Sequence, residues 1–154
     1  MFSEWMAAPT ASPRERANAL QRVAQGFVNA HRVQLDVTGG FPSGPAIIIS
    51  NHLGYVDPVV ICSLVPCSPI AKLEVAGWPL LGQIGQRYSV NFVVRSDPYH
   101  GAVGLFRALR TVEAGTSVLN FPEVTTAQGQ ILPFKRGIFG IAALANADGC
   151  SAAR

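Results

Sequence analysis

Charge is scarce in this 154-residue chain: Asp, Glu, Lys and Arg make up 14% of it, against 49% hydrophobic residues. A composition so apolar excludes a disordered chain and can supply the core of one ordinary domain. Cysteine is nearly absent. Cys62, Cys67 and Cys150 are odd in number and show no C-x-x-C spacing, which argues against a disulfide framework or a metal site and leaves buried thiols. No apolar run approaches the roughly 18–20 residues of a spanning helix. The N-terminus also lacks the apolar segment of a signal peptide. Any membrane contact is therefore expected to be peripheral, on the cytoplasmic side. Lysine is rarer still: only Lys72 and Lys135 among twelve basic residues. The arginines are scattered rather than clustered, so nothing points to nucleic acid, and the net charge of +3 favours anionic partners only mildly. There is no G-x-S-x-G elbow and no G-K-[ST] phosphate loop. "GAVG" at 101–104 is too short for a dinucleotide fingerprint.

What is present alternates. Residues 1–12 read as a flexible tail, and 13–154 as a single domain. From Pro13 to His31, Leu20, Val23, Phe27 and Ala30 recur at helical spacing, and this apolar stripe suits either core packing or a lipid surface. Strands are expected at 33–37, 46–50, 69–73, 90–94 and 116–120. Between and after them, helices are expected from Asp57-Pro58 to about Val65, within 77–87, over 98–114 and over 135–147. This order predicts an α/β fold with a mostly parallel or mixed central sheet and helices on both faces. The run at 46–50 is apolar on both faces and should lie inside the sheet.

In such sheets ligands gather beyond the carboxyl ends of the strands. Four apolar strands here end in polar groups: Asn51 and His52, Lys72 and Glu74, Arg95, and Glu123 with Thr125 and Thr126. In "IIISNHLGYVDPVV", Asp57 follows His52 by five residues. Asp57 is placed to cap the next helix, and the tight loop can also fold it back onto one imidazole nitrogen, leaving the other as a general base. With no protein nucleophile in view, such a pair suits direct deprotonation of a substrate hydroxyl. Lys72 and Arg95 are candidates for an anion site.

"NHLGYVD", "FVVR" and "FPEVTT" occur in that order, and together they resemble the first three motif blocks of the glycerolipid acyltransferases, the 1-acyl-glycerol-3-phosphate acyltransferase family. "AKLEVAGWPLLG" and "LPFKRGIFGIA" fit the flanking stretches. The resemblance implies that His52 is the catalytic base and Asp57 its partner. It implies that Lys72 and Arg95 bind the acceptor phosphate, and that Glu123, Thr125 and Thr126 stand in the block lining the acceptor pocket, with Phe121 and Pro122 shaping the turn. The acyl donor would be acyl-CoA or acyl-carrier protein as co-substrate, the acceptor a lysophospholipid, and no resident cofactor or metal is implied. Val124 stands where the family usually has Gly, and Thr126 where Arg is common. The family's fourth block, a strand with a Val-Pro pair, has no counterpart, so the last strands are expected to be missing. A catalytically incompetent lipid- or membrane-binding remnant is the alternative reading.

Overall fold

The computed structural model describes residues 11–79, 81–88, 90–94, 98–123, 132–145 and 152–153. Helix α1 (Pro13–Ala30) opens with a capping box. The Ser12 hydroxyl accepts from the Glu15 amide at 3.2 Å, and the Glu15 carboxylate accepts from the Ser12 amide at 2.7 Å, so two otherwise orphaned donors are satisfied. These bonds hold the Glu15 carboxyl below its ordinary value. Strand β1 (Ile47–Ser50), helix α2 (Asp57–Leu64) and strand β2 (Cys67–Lys72) follow. Next come a short 3-10 helix (Leu73–Gly77), α3 (Leu81–Arg87), β3 (Asn91–Val93), α4 (Pro98–Glu113), β4 (Ser117–Asn120), α5 (Gly137–Leu144) and the two-residue β5 (Ala152–Ala153).

All recorded pairings are parallel, in the order β3-β2-β4-β1-β5. From β1 the chain moves one way across the sheet, to β2 and then β3; from β3 it turns back to β4 and β5. Parallel crossovers are right-handed almost without exception, so reversing the direction of travel moves the connecting helices to the opposite face. Side chains follow. Ile48, Leu119, Cys62, Val65 and Tyr88 pack with Leu20 and Ala24 of α1 on one face. Ile47, Ile49, Val118, Ala108, Val112, Ile138 and Ile141 pack on the other. The alternation of Ile47, Ile48 and Ile49 between the two faces is the period of two of a strand buried on both sides.

Three expectations are corrected. Residues 33–37 form no strand: the alternating pattern is there, but the segment joins no strand of the sheet, and Leu35 and Val37 stay exposed. The buried stripe of α1 is Ala17, Leu20, Ala24 and Val28, while Phe27 and Ala30 face outward. Small alanines let α1 lie close against α2, and Gln21 and Gln25 both donate to the Ser63 carbonyl, at 3.3 and 3.0 Å. The first helix is thus a core helix along that stripe. Asp57 does not cap α2: Val56 holds the cap position, and the Asp57 side chain turns back into the preceding loop.

Two local features give predictions. A Cβ on Gly82 would overlap the Ala76 carbonyl oxygen, a backbone atom with no room to move. Gly82→Ala should therefore lower stability by about 1–3 kcal/mol in urea denaturation. Cys62 and Cys67 are buried free thiols with sulfurs 3.7 Å apart. Their hydrogen bond, then burial, pushes the Cys67 thiol well above 9.0. The folded state resists ionising it, so the stability this contributes is present below 9.0 and is lost as pH rises further. Neutral buried thiols are poor nucleophiles. In a Cys150→Ser background both should stay unreactive to Ellman's reagent at neutral pH until denaturant is added; rapid labelling of the folded protein would contradict the packing.

Candidate active site

The reversal in the sheet fixes where a site can form. Neighbouring strands β1 and β4 send their connections to opposite faces, so their carboxyl ends part and leave a crevice. His52 lies just past β1, and Phe121 to Glu123 just past β4. At the end of β1, Ser50 donates to the Asn51 carbonyl at 3.1 Å. The Asn51 side chain, a natural brace for this turn, makes no hydrogen bond among the described residues.

The loop from Leu53 to Val56 brings Asp57 back against the imidazole. One carboxylate oxygen, Asp57 Oδ2, lies 3.1 Å from His52 Nδ1. It also accepts the amides of Leu53 at 2.7 Å and Gly54 at 2.8 Å. A carboxylate only accepts, so Nδ1 carries the hydrogen and Nε2 presents its lone pair. Nε2 has no hydrogen-bond partner among the described residues. The other constraint on the ring is Phe121, stacked on it with centroids 4.2 Å apart and planes 26° apart. His52 is thus held by a carboxylate at one nitrogen and an aromatic face alongside, with Nε2 open.

The remaining candidates divide. Glu123 is at the β4 exit and only 4% exposed, and neither carboxylate oxygen has a partner among the described residues. A buried carboxylate without a donor is costly. Lys72 ends β2, exposed and in register with Val93. Since β4 separates β1 from β2, two strand spacings, roughly 10 Å, lie between the Lys72 and His52 strands. Arg95, Thr125 and Thr126 lie outside the described residues.

The spacing of residues could not show two features. Phe121 does more than shape a turn: it supports the imidazole. A cavity of about 570 Å³ also opens beside it, lined by Ile70, Val93, Leu105 and Ile138, with Lys135 and Arg136 at its wall. An aromatic residue at a strand exit was the available signal for the first. The second depends on how α4 and α5 sit on the sheet.

A model of the Acyltransferase family matches residues 18–151. The chain belongs to the acyltransferase family. Among curated relatives, it is 32% identical over 135 residues to a 1-acyl-sn-glycerol-3-phosphate acyltransferase of Neisseria gonorrhoeae, covering 82% of this chain and 51% of that protein. It is 33% identical over 99 residues to a lyso-ornithine lipid O-acyltransferase of Brucella abortus, covering 64% of this chain and 37% of that one. The chain thus spans about half the length, or less, of these relatives. The crystal structure of the 1-acyl-sn-glycerophosphate acyltransferase PlsC from Thermotoga maritima superposes with a TM-score of 0.70 at 20% identity, over 95% of this chain and 61% of that one. The α/β fold of this acyltransferase-family chain, with its parallel sheet, is therefore that of a solved acyltransferase.

Proposed function

We propose that this chain carries the catalytic dyad of an O-acyltransferase. It would move a fatty acyl group from acyl-CoA or acyl-carrier protein to the hydroxyl of a lysophospholipid such as 1-acylglycerol-3-phosphate. The observation that carries the reading is the open Nε2 of His52, in an imidazole oriented by Asp57 Oδ2 at 3.1 Å. Nε2 takes the proton of the acceptor hydroxyl as its oxygen attacks the thioester carbonyl. The Asp57 carboxylate then faces an imidazolium and stabilises it. When the tetrahedral intermediate collapses, the carbon–sulfur bond breaks and the proton passes from Nε2 to the departing thiolate. Only proton transfer and a reactive thioester are needed, so the chemistry asks for no resident cofactor.

Glu123, buried without a donor, is suited to accept from a hydroxyl or ammonium of the acceptor. Lys72 is suited to an anionic group on it, with Arg95, Thr125 and Thr126 proposed in the same pocket on the motif alone. The apolar cavity beside Phe121 is of a size to take acyl chain. Relatives named for a lysophosphatidate reaction and for a lyso-ornithine lipid reaction both support a lysolipid acceptor. No described helix is long and apolar enough to cross a membrane. Separately, the lipid is proposed to be met from the membrane surface, on its cytoplasmic side. The test is thiol release from acyl-CoA that depends on lysophosphatidate or a lyso-ornithine lipid and is lost in His52→Ala. Release that ignores both the acceptor and that substitution would overturn the assignment.

A further inference from the structure

Exposed apolar side chains are ordinary when scattered and meaningful when they gather. Here they gather around the dyad. The loop after β1 exposes Leu53, Tyr55 and Val56, and the segment after β2 exposes Leu73, Trp78 and Leu81. Tyr55, 69% exposed, meets Trp78, 39% exposed, edge to face with centroids 5.6 Å apart, so the two segments form one surface. Parallel strands put both at the carboxyl edge, beside His52. The Lys135 amide donates to the Pro122 carbonyl at 2.9 Å, which pins a third exposed piece, Phe134 with Lys135 and Arg136, to the same edge. Lys72 adds a further exposed cation. Glu74 is the exposed acid in these segments, for Glu123 is buried and Asp57 is turned inward onto the loop amides.

We infer that this rim is the docking surface for an anionic lipid bilayer, with Tyr55 and Trp78 at headgroup depth. The surface combines half-exposed tyrosine and tryptophan, aliphatic side chains and an excess of cations. That combination complements acyl chains, the interfacial layer and anionic headgroups in turn. The buried stripe of α1 is engaged against α2 and the sheet, so that stripe is not available to lipid. A lysolipid then reaches His52 from the membrane without crossing water. The inference rests on the acyl-transfer reading only for that last consequence; the docking itself involves no turnover.

The test uses vesicles of equal parts phosphatidylglycerol and phosphatidylcholine. The full chain should co-sediment with them and much less with phosphatidylcholine alone. Tyr55→Ser with Trp78→Ser should weaken partitioning about tenfold, while Phe27→Ser, on the outer face of α1, and His52→Ala should leave it unchanged. In a second measurement, which does not depend on the double variant folding, Trp5→Phe leaves Trp78 as the sole indole. Its emission should shift to the blue with these vesicles and be quenched by phospholipid brominated high in its acyl chains, next to the headgroup. Absence of quenching, wild-type partitioning by a folded double variant, or a dimer that the double substitution dissolves would each overturn the inference. Vesicle binding by wild type and His52→Ala alike, with no acyl transfer by either, would keep the docking surface and reject the enzymatic reading.

Discussion

His52→Ala should lower kcat for acyl transfer by about a hundred- to ten-thousand-fold, the range that a positioned general base supplies, with KM little changed. The substitution removes the nitrogen proposed to take the hydroxyl proton and leaves the exposed apolar rim in place. Nothing else among the described residues is positioned to replace it. The imidazole makes one hydrogen bond and lies against Phe121 at the mouth of the crevice, so the fold should survive its loss. Acceptor-dependent thiol release measures the effect, and thermal melting checks that the variant is folded. A folded variant with undiminished turnover would remove His52 from the chemistry.

For Asp57→Asn the expected loss in kcat is roughly a hundredfold, about 2.7 kcal/mol of transition-state stabilisation. Oδ2 faces three donors at once: the His52 ring and the amides of Leu53 and Gly54. An asparagine oxygen can stay there and keep the loop and the tautomer, so the change isolates the negative charge that steadies the imidazolium. Asp57→Ala removes the acceptor as well. It should cost about 1–3 kcal/mol of stability through the two orphaned amides, in addition to turnover. Comparing the two variants by kinetics and by urea denaturation separates charge from geometry. Equal melting and equal activity across wild type, Asn and Ala would show that Asp57 does neither job.

The order of elements was legible because apolar runs of strand length alternate with helical periodicity, and burial on both faces enforces that order. The contact between His52 and Asp57 was legible too, since five residues is the reach of one tight loop. What stayed hidden lies between segments distant in the chain. The stacking of Phe121 on His52 depends on β4 lying beside β1, and no local pattern carries that. Residues 33–37 alternate like a strand, but alternation alone does not bring a segment to a partner. On α1 the periodicity marks Leu20 and Val23, which pack on the core, but not the small Ala17 and Ala24 on which the close approach to α2 depends. Asp before Pro at a helix start is a common cap signal, but here the loop amides of Leu53 and Gly54 hold the Asp57 carboxylate instead.

The pairing of β1 with β4 has a consequence for how the molecule is made. Ala46 and Ser117, which share a hydrogen bond where these strands begin, are separated by 71 residues along the chain. A ribosome releases the N-terminal part first, so Ile47, Ile48 and Ile49 emerge long before the strand that will cover their edge. Loop closure over such a span is slow, and an apolar strand waiting for its neighbour can pair with another nascent chain. The order of synthesis therefore leaves β1 without this neighbour until β4 arrives. The crevice beside His52 exists only from that moment, because Phe121 reaches His52 with the strand that joins β1 to the rest of the sheet.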